Sequence, residues 1–334
     1  MKLLTNLLLG LFLTVNLFGQ VDKVNELVSQ GTVLHDQGKY DDAIAKYKMA
    51  LSIDKNSSLA NYELSYTYMT AGKYSDAIKY SKKVIKQDSG SQHGAYIVLG
   101  SSLDMSGKAD KAIKAYEEGL SKYPESNLLN YNLALTAYKQ KNYEKAEKAA
   151  INAINAKPKH GSSHVILSSI MQAKGERVMS LLPAYYFLML EPNSKRSKII
   201  FTDLKKQLAK GVEMKNDSDV SVIVPTSIDS LFGTAEMSLS LMAASRFTED
   251  KDKSETEFFK ETNSVFFAML EELKKENKGF WWDFYVSKFI DLIQSDNIEA
   301  FSYYVSQSTN SDSVNQYIAN NPDKIQRLKD WIVK

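Results

Sequence analysis

Four histidines, His35, His93, His160 and His164, and no cysteine bound the chemistry open to this chain. Without cysteine there is no disulfide, no thiolate metal site and no thiol nucleophile. His160 and His164 stand four apart, a spacing that would serve two metal ligands on one helix. His160 falls in the loop before that helix, however, so packing or solvation is the expected role, and no metal site is expected. No histidine follows His164. Acid–base chemistry in the C-terminal half would therefore rest on carboxylates, Glu271 or Glu272 with Asp283, Asp291 or Glu299. Those acids fall at helix-surface positions rather than in a motif. The chain is read as non-catalytic and without a cofactor.

Charge narrows the partners. The 334 residues carry 42 Lys plus Arg against 40 Asp plus Glu, a formal net charge of +2. That balance produces no broad field for a polyanion, so nucleic acid is not an expected partner. The local run Lys79, Lys82, Lys83 and Lys86 reads as a solvated helix face. The length suits two domains, or an array plus a domain.

The elements that position these groups follow from a repeat of 34 residues, once 35, between residues 22 and 193. A turn position recurs at Gly38, Gly72, Gly107, Lys141 and Gly175. Two residues later stand Tyr40, Tyr74, Ala109, Tyr143 and Arg177. A small residue then opens a second helix at Ala43, Ala77, Ala112, Ala146 and Ser180, and prolines close units at Pro124, Pro158 and Pro192. Small residues let two antiparallel helices approach closely, rings fill the gaps, and Gly or Pro ends each helix. Pro183 lies inside the last second helix and should kink it or shift its start.

With Tyr96, Leu99, Gly100, Leu103, Gly107, Ala112, Tyr116 and Pro124 in its third unit, the chain resembles the tetratricopeptide repeat family. The resemblance implies an all-α fold, a right-handed superhelical array of about five helix pairs. The units span about 22–55, 56–90, 91–124, 125–158 and 159–193. It also implies a concave groove lined by the first helix of each pair. Position by position, the groove residues are Val28, Thr32 and His35; Tyr62, Tyr66 and Met69; Ile97, Ser101 and Asp104; Tyr131, Leu135 and Tyr138; and Val165, Ser169 and Gln172. Tyr62, Tyr66 and Met69 share one helix face, as do Tyr131, Leu135 and Tyr138. The groove is thus apolar and tyrosine-rich. It lacks the Lys, Asn and Arg set with which some relatives hold a peptide carboxylate. Its expected occupant is another protein or a peptide segment, unless the C-terminal half covers it.

Residues 1–20 read as a secretory signal: Lys2, an apolar run, then Leu17-Phe18-Gly19-Gln20, with removal expected after Gly19 or Gln20. An uncleaved anchor is the alternative, and no lipid-modifiable Cys follows. An exported chain, periplasmic or associated with the cell envelope, is expected, reaching a membrane only through a partner or an uncleaved signal. Residues 194–334 read as a helical domain with an irregular segment near 211–226, in which 220–224 forms at most a lone strand or an extended stretch. Helices are expected over 195–210, 227–245, 255–275, 280–293 and 298–305, and from Pro322 onward. The aromatic stretch 280–293 reads as a buried central helix. The leading function is an interaction scaffold. The alternatives are an envelope component docking through Trp281, Trp282 and Tyr285, and a carboxylate hydrolase in the C-terminal half.

Overall fold

A computed structural model describes residues 20–87, 90–216, 219–223, 231–275 and 277–333. The expected signal segment, residues 1–19, and the start proposed for a helix at Ser227 lie outside them. The chain divides into two compact units, Met1–Ala156 and Lys157–Lys334.

The first unit is a solenoid of helix pairs. Its helices are α1 (20–36), α2 (Tyr40–Ile53), α3 (Ser58–Thr70), α4 (Tyr74–Lys86), α5 (Gln92–Met105), α6 (Ala109–Lys122), α7 (Asn127–Lys139) and α8 (Tyr143–Ala156). Each packs on its neighbour in sequence, and α3, α5 and α7 also pack on one another, as the first helices of successive pairs must. Ala43, Ala77, Ala112 and Ala146 are wholly buried where the second helix of each pair begins. The preceding turns need a left-handed residue. Gly38, Gly72 and Gly107 supply it at φ 73–75°, and Lys141 takes φ 58° in the same place.

Within a pair, shape is matched by complementary sizes. The Tyr116 ring lies against Gly100, where a Cβ would come under 3 Å from the ring, and Tyr47 lies against Gly31 in the same way. The corresponding positions are Ser65 with Ser81 and Ala134 with Ala150, all fully buried. A ring is present only where the facing residue has no side chain. The loops between pairs are tied by two buried asparagines. Asn61 Nδ2 donates to the Ser57 and Lys55 carbonyls, and Asn130 Nδ2 to those of Ser126 and Pro124. Ser57 and Ser126 cap α3 and α7, accepting from Ala60 N and Leu129 N at 3.2 Å.

The second unit begins with a fifth pair, α9 (Gly161–Lys174) and α10 (Arg177–Leu190), followed by α11 (Lys195–Leu208) packed on α10. Helix α10 is continuous through Pro183 and starts in register at Arg177, so the proline does not shift its start. It is buried on nearly every side, so packing holds it, and the Ser168 hydroxyl donates to the Ser180 carbonyl in the turn before the proline. Arg177, which stands where three of the other four units have tyrosine, is a buried cap. Its guanidinium donates to the Gln207 and Leu208 carbonyls ending α11, at 2.7 and 2.9 Å, and to Ser240 Oγ.

Beyond α11, Val212–Asn216 (β1) pairs antiparallel with Asp219–Val222 (β2), Met214 opposite Val220. The stretch read as a lone strand therefore has a partner, hidden in sequence because Glu213 and Lys215 interrupt its apolar residues. Then come α12 (Gly233–Ser245), α13 (Glu255–Lys274), a π-helical turn (Trp281–Val286) continuing into α14 (Ser287–Gln294), α15 (Ile298–Val305), α16 (Asp312–Asn320) and α17 (Pro322–Val333). Tyr185 of α10 is the hub of this unit, with the rings of Phe259, Phe266, Phe267, Phe289 and Phe301 centred 5.3–6.4 Å from its own. Its hydroxyl donates to Asn263 Oδ1, Asn263 Nδ2 donates to Ser302 Oγ at 2.9 Å, and Ser302 donates to the Ile298 carbonyl. A buried polar atom inside an aromatic core is thereby satisfied.

The Gly100 socket makes a prediction. Alanine raises helix propensity by about 1 kcal/mol, but overpacking a buried ring costs about 1–3 kcal/mol, and the Tyr116 ring cannot withdraw from its buried site. Gly100→Ala should lower stability by up to about 2 kcal/mol in denaturant titration followed by circular dichroism. Pairing it with Tyr116→Leu should recover part of that loss, and additive losses would contradict the socket.

Candidate functional site: the tyrosine wall of the first helices

The groove residues on α3, α5 and α7 lie at the surface or half-buried. Tyr66 is 39% exposed, and Tyr62, Met69, Ile97, Ser101, Asp104, Tyr131, Leu135 and Tyr138 are intermediate. Val28 is not part of this face, because it sits buried in the core beside Leu27 and Tyr47.

The rings form two groups. In the first, Tyr62 stacks on Tyr66 at 6.5 Å with planes 12° apart, Tyr66 stacks on His35 at 5.1 Å, and His35 meets Tyr40 edge-on at 5.3 Å. His35 is held by its Nδ1 against the Thr67 hydroxyl at 2.8 Å, and the Tyr62 ring lies over the backbone of Gly94 on α5. These rings are preorganised by neighbours, which lowers the ordering cost of any contact they make. In the second group, Tyr138 lies 6.1 Å from Tyr143. Between the groups Asp104 accepts from Lys139 at 2.8 Å, and Ser101 Oγ stands 3.2 Å from the Tyr116 hydroxyl. Sequence reasoning missed His35 as a member of the ring stack and Gly94 as its support. A glycine in the first turn of a helix offered no signal of what packs upon it.

In the second unit the expected alternatives lose their geometry. Trp281, Trp282 and Tyr285 are 8%, 1% and 0% exposed, so they present no docking patch. The five candidate carboxylates each have a separate partner. Glu271 accepts from Gln294, Glu272 pairs with Lys275, Asp291 accepts from Trp331 Nε1, and Glu299 holds Lys324 and the Tyr317 hydroxyl. Asp283 accepts from Gly279 N and pairs with Lys274. The Gly279 amide and then Lys274 hold Asp283 below the usual carboxylate range, and Lys324 with Tyr317 does the same for Glu299. A general acid requires the opposite displacement.

His164 is a core residue. Its Nε2 lies 2.7 Å from the Pro158 carbonyl, which can only accept, so Nε2 carries the proton and Nδ1 accepts from the Tyr285 hydroxyl at 2.6 Å. Both nitrogens are thereby committed, while His160 Nδ1 lies against Ser163 Oγ at 2.7 Å. Burial pushes the His164 pKa down to about 4. The unfolded chain, with an ordinary histidine near 6.5, takes up this proton first as pH falls. The His164 contribution is therefore complete above about pH 6.5 and is lost on descending through pH 4, up to about 3 kcal/mol. Urea titrations of the chain between pH 7 and pH 4 should show this decline, and His164→Gln should flatten it. An equal decline in the variant would contradict the assignment.

Family models for the tetratricopeptide repeat match residues 31–72, 59–90 and 97–160. No curated protein matches the chain. Among solved structures it is similar to a thermophilic TPR protein of Thermus thermophilus, TTC0263, at 17% identity and a TM-score of 0.45 over 55% of this chain and 98% of that one. It is similar to MamA of Desulfovibrio magneticus RS-1 at 18% identity and 0.43, over 56% and 95%. PilF of Pseudomonas aeruginosa aligns at 15% identity and 0.46, over 83% and 99%. With turn glycines, buried alanines and ring sockets recurring through the matched residues, residues 31–90 and 97–160 are tetratricopeptide repeats.

Proposed function

We propose that the protein is an exported, non-catalytic scaffold that holds a polypeptide segment or a neighbouring subunit against the tyrosine wall of α3, α5 and α7. The observation that carries this reading is the set Tyr62, Tyr66, Met69, Tyr131, Leu135 and Tyr138, large side chains kept partly in solvent on the first helices of a repeat array. Tyrosine gives wide contact area, a polar tip and little entropy to lose, which suits recognition of a partner better than catalysis. Protein interaction is also the common use of this repeat family.

Export rests on Met1–Gln20, a short positive start, an apolar stretch and a small residue at Gly19. No helix among the described residues is long and apolar enough to cross a membrane. The proposed location is the periplasm or cell envelope.

Replacing Tyr62, Tyr66, Tyr131 and Tyr138 by alanine should leave the helical circular dichroism signal intact and reduce partner capture from envelope extract at least tenfold. Undiminished capture by the folded variant would sink the wall as the binding surface. N-terminal sequencing of the chain recovered from the envelope fraction should begin at Gln20 or Val21. An intact Met1 would leave the anchored form in place of the cleaved one.

A further inference from the structure

The two ends of the wall differ in charge. At the α1–α3 end, Glu63 of α3 is half-buried, and Asp36, the last residue of α1, is close enough to act on it electrostatically. Among the described residues neither carboxylate has an ion-pair partner. Four other acids of the same unit are paired: Asp41 with Lys73 at 2.6 Å, Asp104 with Lys139 at 2.8 Å, Glu117 with Lys145 and Glu26 with Lys23 at 2.8 Å. Burial and then the Asp36 carboxylate raise the Glu63 pKa, so a cation brought to this end would favour its ionised form. Glu63 follows Tyr62 and precedes Tyr66 by one helical turn, and Asp36 follows His35, so the acids share this end with the stacked rings, whose tyrosine faces also attract a cation. At the α7 end Tyr131, Leu135 and Tyr138 share a helix face, and Lys139 of the same helix holds Asp104 of α5 in an ion pair.

We propose, resting on the scaffold reading above, that the wall takes an extended polypeptide in one direction. A lysine or arginine of that polypeptide lies over Tyr62 and Tyr66 and pairs with Glu63 and Asp36, and its apolar residues reach Tyr131, Leu135 and Tyr138. The span sets the spacing. From α3 through α5 to α7 are two interhelical steps of about 8–10 Å each, which about five or six extended residues cover. The preferred segment therefore carries a basic residue and, about six positions away, an apolar pair. A peptide with an acidic residue at this end meets repulsion.

The test uses the chain from Val21 to Lys334 and fluorescein-labelled twelve-residue peptides built on glycine and serine. One carries Arg at its third position and Leu-Phe at its ninth and tenth, and two counterparts have Glu or Ser in place of Arg. Fluorescence anisotropy should give the Arg peptide about tenfold tighter binding than the Glu peptide. In the Glu63→Gln, Asp36→Asn double variant that ratio should approach one without loss of Glu-peptide affinity. Equal binding of all three peptides, or a preference that survives in the double variant, overturns the charge assignment and leaves the scaffold reading standing. Binding by none of the three overturns both.

Discussion

Close approach of two helices at a buried small residue is the constraint from which the remainder of the first unit follows. Ala43, Ala77, Ala112 and Ala146 have no exposed surface, and any larger side chain there would push the second helix of its pair away. The same rule governs the next layer, where Tyr47 and Tyr116 occupy sockets floored by Gly31 and Gly100 while other pairs set serine on serine or alanine on alanine. Each pair leaves its outer face unburied and covers it only by stacking on the next, so the array is held by contacts between neighbours rather than by a central core.

That economy of size has a functional consequence. The seam between paired helices uses small residues and a few enclosed rings, so large side chains at the remaining positions of α3 and α7 stay on the surface. Tyr66 lies exposed, yet it is stacked between Tyr62 and His35 and so presents a fixed shape. In the second unit rings serve the opposite purpose. Tyr185 and the phenylalanines around it, and Trp282 against Phe232 at 4.6 Å, fill a core in which α10 is central. The fifth helix pair thus trades the repeat pattern for a core, with Arg177 capping α11 and His164 bonded to Tyr285 where a regular unit has other residues.

Much of the first unit was legible because its signals are local and repeated. A glycine two residues before an aromatic marks a left-handed turn, and even Lys141 was placed correctly by register alone. The second unit was less legible because its structure depends on long-range contact. The proline at 183 argued for a kink or a shifted start, but burial on nearly every side keeps the helix continuous despite the one missing hydrogen bond. The hairpin was hidden by charged residues in β1, and α16 offered only Val314 as a buried anchor. The aromatic stretch after Gly279 was recognised as core, although its first turn is π-helical rather than α-helical. For the wall, face membership followed from helical spacing. Val28 departed from it because it is buried in the core cluster with Leu27, Tyr47 and Leu64. Which acids lack partners could not be read at all, since ion pairing depends on residues some thirty positions apart, as in Asp41 with Lys73.

The central claim, that partner polypeptide lies on the first-helix wall, is tested most directly by site-specific photocrosslinking in the envelope. A benzophenone side chain placed at Tyr66 on the wall, or at Met49 on the outer face of α2, reports which surface touches another chain. The account predicts a discrete crosslinked species from position 66 and none from position 49. Crosslinking from position 49 alone, or equally from both, would contradict it.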